Sequence, residues 1–208
     1  NYMEGSTERI LPMCDVSGSM NDNGGLPMDV SVALGIYISE RNEGIFKDAF
    51  LTFSSNPEMQ YLKGSLTQRM RQLSSAAWGM TTNLQASFDL ILNSAIRENI
   101  PSEEMPTKLL IISDMEFNTA TRDNRSTNLD VIRAKYNQSG YVMPEIIFWN
   151  VNGRLGNSPA QVQDQGVGLV SGFSPSILKS ILKGKVYGPE QLMLDTVMTD
   201  RYARVKFD

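Results

Sequence analysis

The chain has 208 residues, 41% of them hydrophobic and 20% charged, which is enough to bury a substantial α/β core as a single domain spanning 1–208 with its core at about 9–197. A formal net charge of −4 with 19 scattered basic residues gives no electrostatic footing for direct nucleic-acid binding. The absence of any histidine excludes a Ser-His-Asp triad, Cys-His nucleophilic catalysis and histidine-ligated zinc or iron.

In chain order, residues 9–15 predict a first strand. Its Cys14, the single cysteine, is a small core residue and excludes an internal disulfide. The polar loop Asn21–Gly25 leads to a helix from Pro27 to about Arg41, with Val30, Ala33, Leu34, Tyr37 and Ile38 on one face at the 3.6-residue period. Phe50–Phe53 and Met59–Leu62 are strands with the short interval Ser54–Pro57 between them. That interval is too short for a crossover helix, so the second strand pairs antiparallel at the sheet edge.

Helices are expected at Leu66–Leu73, Leu84–Ile96 and Leu129–Tyr136, and strands at Leu109–Ser113, Glu145–Trp149 and Gly168–Val170. Further helices are expected at Pro175–Leu182 and Pro189–Val197. The alternation implies an α/β fold: a doubly wound, mostly parallel six-stranded sheet with one short antiparallel edge strand and helices on both faces. No basic-then-apolar leader and no apolar run near ~18 residues is present, so a cytoplasmic protein without membrane association is expected. The first strand begins abruptly, as in a domain excised from a longer protein.

The segment Asp15-Val16-Ser17-Gly18-Ser19-Met20 stands directly behind the apolar run 10–14 and gathers one carboxylate and two hydroxyls. Alone, these residues also make an ordinary capped strand-to-helix loop. Two later segments change the reading. Thr81-Thr82-Asn83 opens an amphipathic helix, and Asp114 closes the apolar run 108–113. If both apolar runs are strands of one parallel sheet, Asp15 and Asp114 leave the same carboxyl edge, where α/β folds place their ligands. Oxygen donors of this kind suit a hard divalent cation, Mg²⁺ first, with Mn²⁺ and Ca²⁺ fitting the same residue types.

Asp-x-Ser-x-Ser, then a Gly-x-Thr-Thr loop, then an Asp closing an apolar strand resembles the metal-ion-dependent adhesion site (MIDAS) of von Willebrand factor type A (vWA) domains, whose fold is Rossmann-like. The segments 11–20, 113–117, 144–150 and 168–173 resemble the DUF2828 branch, with the A domains of Ro/TROVE-type ribonucleoproteins as nearest relatives. The resemblance implies metal ligands at Asp15, Ser17, Ser19, Thr82 and Asp114, with Thr81 as the alternative to Thr82. It implies aspartates acting often from behind the direct ligands, so that the ion is ringed mainly by neutral hydroxyls and stays able to attract an anion.

Enzymatic readings find little support. No Gly-x-x-x-x-Gly-Lys-Ser/Thr run exists, and an Asp-x-Asp phosphatase needs a carboxylate where Ser17 stands. Metal-assisted hydrolysis has no evident base beyond Asp15, Asp114 or Glu116, whose own role the sequence leaves open, so no enzyme is expected. Two functions from different classes stand. One is a metal-dependent module that captures an acidic side chain of a protein partner. The other is the vWA component of a TROVE/Ro-like ribonucleoprotein, with RNA bound by a separate helical region. The polar stretches Phe117–Thr127 and Asn152–Gly166 are expected to rim the site as loops.

Overall fold

The computed structural model describes residues 8–76, 79, 83–114, 125–152, 167–172 and the single positions 178, 181, 194, 197 and 198. Six strands form one sheet: β1 (Ile10–Cys14), β2 (Ala49–Thr52), β3 (Met59–Tyr61), β4 (Lys108–Ser113), β5 (Glu145–Asn150) and β6 (Val167–Ser171). Their spatial order is β3-β2-β1-β4-β5-β6, parallel throughout except for the β2–β3 pair. The antiparallel edge follows from the short Ser54–Pro57 interval, as the sequence implies. β1 and β4 are fully buried along their length, which is why they read as continuous apolar runs.

The period of two divides the sheet's side chains between two cores. On one face Leu11, Met13, Leu51, Phe53, Leu109, Ile111, Ile146 and Phe148 pack against α3 (Leu84–Glu98) and α4 (Arg125–Gln138). Those helices are joined by Tyr136, whose Oη donates to the Phe88 carbonyl at 2.8 Å. On the other face Ile10, Cys14, Phe50, Leu110, Ile112, Ile147 and Trp149 meet α1 (Leu26–Ser39) and α2 (Leu66–Ser74), together with Leu178 and Ile181. Among the described residues no helix is long and apolar enough to cross a membrane.

The structure corrects the face assigned to α1. Of the expected stripe only Ile38 is buried, whereas Ser31, Val32, Gly35, Ile36 and Ser39 face the sheet. Small residues at i, i+4 and i+8 let the helix approach β1 closely. A Cβ on Gly35 would lie 2.5 Å from Cys14 Sγ and 2.8 Å from Leu73 Cδ1. The sequence reading favoured bulkier side chains, of which Val30, Leu34 and Tyr37 instead lie half-exposed. A second correction concerns α4, which begins at Arg125, so the expected loop Phe117–Thr127 ends earlier. Of the helices expected at 175–182 and 189–197, only Leu178, Ile181, Leu194 and Val197 fall within the described residues.

Candidate metal centre

The centre is built on the carboxyl ends of the adjacent strands β1 and β4. Asp15 N donates to the Ile112 carbonyl at 2.9 Å, which carries the β1–β4 ladder one residue past Cys14 and fixes the Asp15 backbone. The chain then turns. Asp15 Oδ1 accepts from Ser17 N at 2.9 Å, the local side-chain-to-backbone bond that Asp makes readily. Met20, wholly buried, pins the far side of the turn and leaves Ser19 exposed above it. Gly24 (φ 73°) and Gly25 (φ 85°) supply the left-handed backbone that swings the chain into α1. From α1, Ser31 Oγ donates to the Asp15 carbonyl at 3.0 Å, locking helix and turn together.

Two donors hold the Asp15 carboxylate. Besides Ser17 N on Oδ1, Ser113 Oγ donates to Oδ2 at 2.6 Å. The hydroxyls of Ser17 and Ser19 lie 3.0 Å apart. Complete burial of Asp15 pushes its carboxyl above the ordinary aspartate range; the hydrogen bonds from Ser113 and Ser17 oppose this, and the negative charge of Asp114 adds to it. Asp114 itself has a buried Oδ1 with no hydrogen-bond partner among the described residues. A buried carboxylate oxygen without a donor is costly unless something positive meets it.

Thr82 and its alternative Thr81 lie outside the described residues, but both flanks of their loop are fixed. Gly79 N donates to the Phe53 carbonyl at 2.9 Å and Asn83 N to the Ser54 carbonyl at 3.2 Å. The loop is therefore tied at both ends to the carboxyl end of β2, the strand beside β1. Asn83 caps α3, its side chain accepting from Ala86 N at 3.0 Å. Glu116 and residues 153–166 of the second expected rim loop also lie outside the described residues.

The structure thus brings Asp15, Ser17, Ser19 and Asp114 to one edge. Among the described residues no group of three or more His, Cys, Asp or Glu side chains is placed to hold a metal. Two hydroxyls in mutual contact, on the same sheet edge as a buried carboxylate oxygen that has no partner among the described residues, fit a hard cation. Sequence reasoning missed Ser113. Its signal was a hydroxyl ending an otherwise apolar strand, on the same side of the sheet as Asp15 by the period of two.

Over residues 9–206 the sequence matches the family described as domain of unknown function (DUF7788). The chain belongs to the DUF7788 family. That is the family shown, where the motifs led to an expectation of DUF2828. The uncharacterized protein L728 of Acanthamoeba polyphaga mimivirus is 33% identical over 194 residues, covering 91% of this chain and 33% of the viral protein. The DUF7788 chain therefore spans about one third of that relative's length. Among solved structures it is similar to the Deinococcus radiodurans Ro (RSR) protein, with a TM-score of 0.54 and 21% identity over 86% of this chain and 35% of that one. It is also similar to a von Willebrand factor type A protein from Catenulispora acidiphila, with a TM-score of 0.51 and 13% identity over 85% of this chain and 41% of that one. At these identities the likeness concerns the fold, which is vWA-like.

Proposed function

We propose that this DUF7788 domain is a metal-dependent protein-interaction module. A divalent cation would be held by Ser17, Ser19 and Thr82, with Asp15 and Asp114 direct or one water away, and an open position would take an acidic side chain of a partner. The observation that carries this reading is the buried Asp114 Oδ1, without a partner among the described residues, on the edge where Asp15, Ser17 and Ser19 converge. Oxygen donors of this kind suit a hard cation, Mg²⁺ first, with Mn²⁺ and Ca²⁺ fitting the same residue types.

The ion supplies a positive charge that neutral hydroxyls do not quench. The chain's residues do the rest. Ser17 N and Ser113 Oγ fix the Asp15 carboxylate, so its oxygens are held before any ion arrives. Ser31 ties that turn to α1. Both Asp15 oxygens are engaged by hydrogen bonds, and the site is read as binding rather than catalytic. Calorimetric titration of Mn²⁺ into chelator-treated protein tests the centre. Near-equimolar binding that Asp15→Ala abolishes supports it, and unchanged binding in that variant places the metal elsewhere.

A second reading is favoured by the likeness to the Deinococcus Ro protein and by the one-third coverage of the viral relative. Here the domain is the vWA part of a larger TROVE/Ro-like or DUF2828-like ribonucleoprotein, in the cytoplasm, with RNA bound by a separate helical region. Partner capture separates the two. A protein partner lost on chelation and in Ser17→Ala supports the metal bridge, and retention in both favours docking through another surface.

A further inference from the structure

The apolar row Met13, Ile111 and Phe148 crosses β1, β4 and β5 on the face covered by α3 and α4. Two residues on, the same face carries Asp15, Ser113 and Asn150. The registers make this a true row: Ser113 pairs with Asn150 across β4–β5, and Ser113 Oγ reaches Asp15 Oδ2 at 2.6 Å. Three polar residues thus replace three apolar ones at the step where the sheet meets the metal edge. Asp15 and Ser113 are accounted for by the centre, and Asn150 is not.

Asn150 is only 8% exposed and its side chain is oriented. Its Oδ1 accepts from Asn152 N at 2.8 Å. Only an amide oxygen can accept from a backbone N–H, so this bond settles which end of the side chain is which, and the NH₂ turns the other way. The row therefore runs from an acceptor carboxylate, through a hydroxyl spent on that carboxylate, to an oriented neutral donor. Neighbouring strands lie about 4.8 Å apart, so Asn150 stands roughly two strand spacings from Asp15.

A carboxylate bound to an ion through one oxygen leaves its second oxygen as an acceptor. A neutral amide suits that oxygen well, because a Lys or Arg in its place would pair with Asp114 and compete with the ion. Resting on the metal-bridge reading above, we infer that Asn150 is a specificity-determining residue of this centre, its Nδ2 donating to the free oxygen of a carboxylate seated on the ion. The centre then selects two-oxygen anions over single-atom ones.

Water-proton relaxivity of the Mn²⁺-loaded protein reads this directly, since an anion that displaces metal-bound water lowers it. Acetate and fluoride are the probes, fluoride having no second oxygen. In Asn150→Ala acetate should bind about tenfold more weakly, the value of one good hydrogen bond to a charged group, while Mn²⁺ and fluoride affinities stay within about twofold. Asn150→Asp is nearly isosteric and keeps the acceptor for Asn152 N, so it guards against misfolding. It should weaken acetate further without weakening Mn²⁺. Coincident acetate curves for wild type and both variants would overturn the inference, as would an equal loss for fluoride, which marks a merely structural residue. Mn²⁺ binding with no acetate effect in wild type overturns the carboxylate assignment alone, and no Mn²⁺ binding at all overturns the metal centre with it.

Discussion

The two edges of the sheet bury charge in opposite ways. At the amino edge Lys108, 4% exposed in its side chain, meets Glu8 at 2.6 Å and Glu145 at 3.5 Å, and Thr107 Oγ1 also donates to Glu8. Partial burial pushes the Glu8 carboxyl up, but the hydrogen bonds from Lys108 and Thr107 and the pull of the Lys108 charge outweigh it, and the net shift is downward. At the carboxyl edge Asp15 is wholly buried beside Asp114, and none of the ion pairs among the described residues includes either one. Asp15 is shifted the other way. Among the described residues the same sheet thus supplies its own counter-charge at one edge and only neutral donors at the other. The difference marks the carboxyl edge as the place where the proposed cation would have a role.

The largest expected effect breaks the self-sufficient edge. Lys108→Met leaves Glu8 without its buried partner and should destabilise the fold by about 3 kcal/mol in urea unfolding. Because Lys108 and Asp15 sit at opposite ends of their strands, Mn²⁺ affinity should stay within about twofold. A large loss of Mn²⁺ affinity in this variant would show that the two edges are not independent.

Next in size is the metal itself. Mn²⁺ at a hundredfold excess over its dissociation constant should stabilise the chelated protein by about 2.7 kcal/mol through mass action, equally in wild type and Lys108→Met. The two apolar cores carry the fold without it, so chelator should lower the melting temperature and not unfold the protein. Complete unfolding on chelation would make the ion a structural one.

Much of this contrast was legible beforehand. Runs such as Lys108–Ser113 announce central strands because they are buried on both faces, and the six residues between Thr52 and Met59 leave no room for a crossover helix, which forces the antiparallel turn into β3. The carboxyl edge was legible because Asp15 and Asp114 each follow such a run. What escaped was everything decided by close approach or by pairing across strands. Ser31, Gly35 and Ser39 look polar or featureless in sequence, yet they seat α1 on the sheet. Ser113 and Asn150 acquire meaning only once the β4–β5 register and the bond to Asp15 are known. The bond between Glu8 and Lys108, a hundred residues apart, has no local signature.

A smaller effect sharpens the amino edge through pH. The folded-state pKa of Glu8 lies below that of an ordinary glutamate, so its contribution is fully present above the ordinary range and is lost as pH falls through the lowered folded value. The stability gap between wild type and Lys108→Met should therefore be widest near neutrality and narrow in acid. A gap that stays constant from neutral pH into acid would mean that Glu8 draws nothing from Lys108.

The smallest effect is the most discriminating, because its sign reverses between the edges. Asp15→Asn keeps an oxygen to accept from Ser17 N and places an NH₂ against Ser113 Oγ, whose hydroxyl rotates to accept. It also removes a buried charge for which the described residues offer no cation. In chelator the variant should be more stable than wild type by about 1 kcal/mol, whereas neutralising the other edge with Glu8→Gln should destabilise. With Mn²⁺ the order of wild type and Asp15→Asn should invert, since only wild type gains from the ion. Urea unfolding of the three proteins, each with chelator and with Mn²⁺, measures all of this at once. If Asp15→Asn were the less stable protein in chelator, the neutral donors alone would suffice for Asp15, and the carboxyl edge would need no cation from outside.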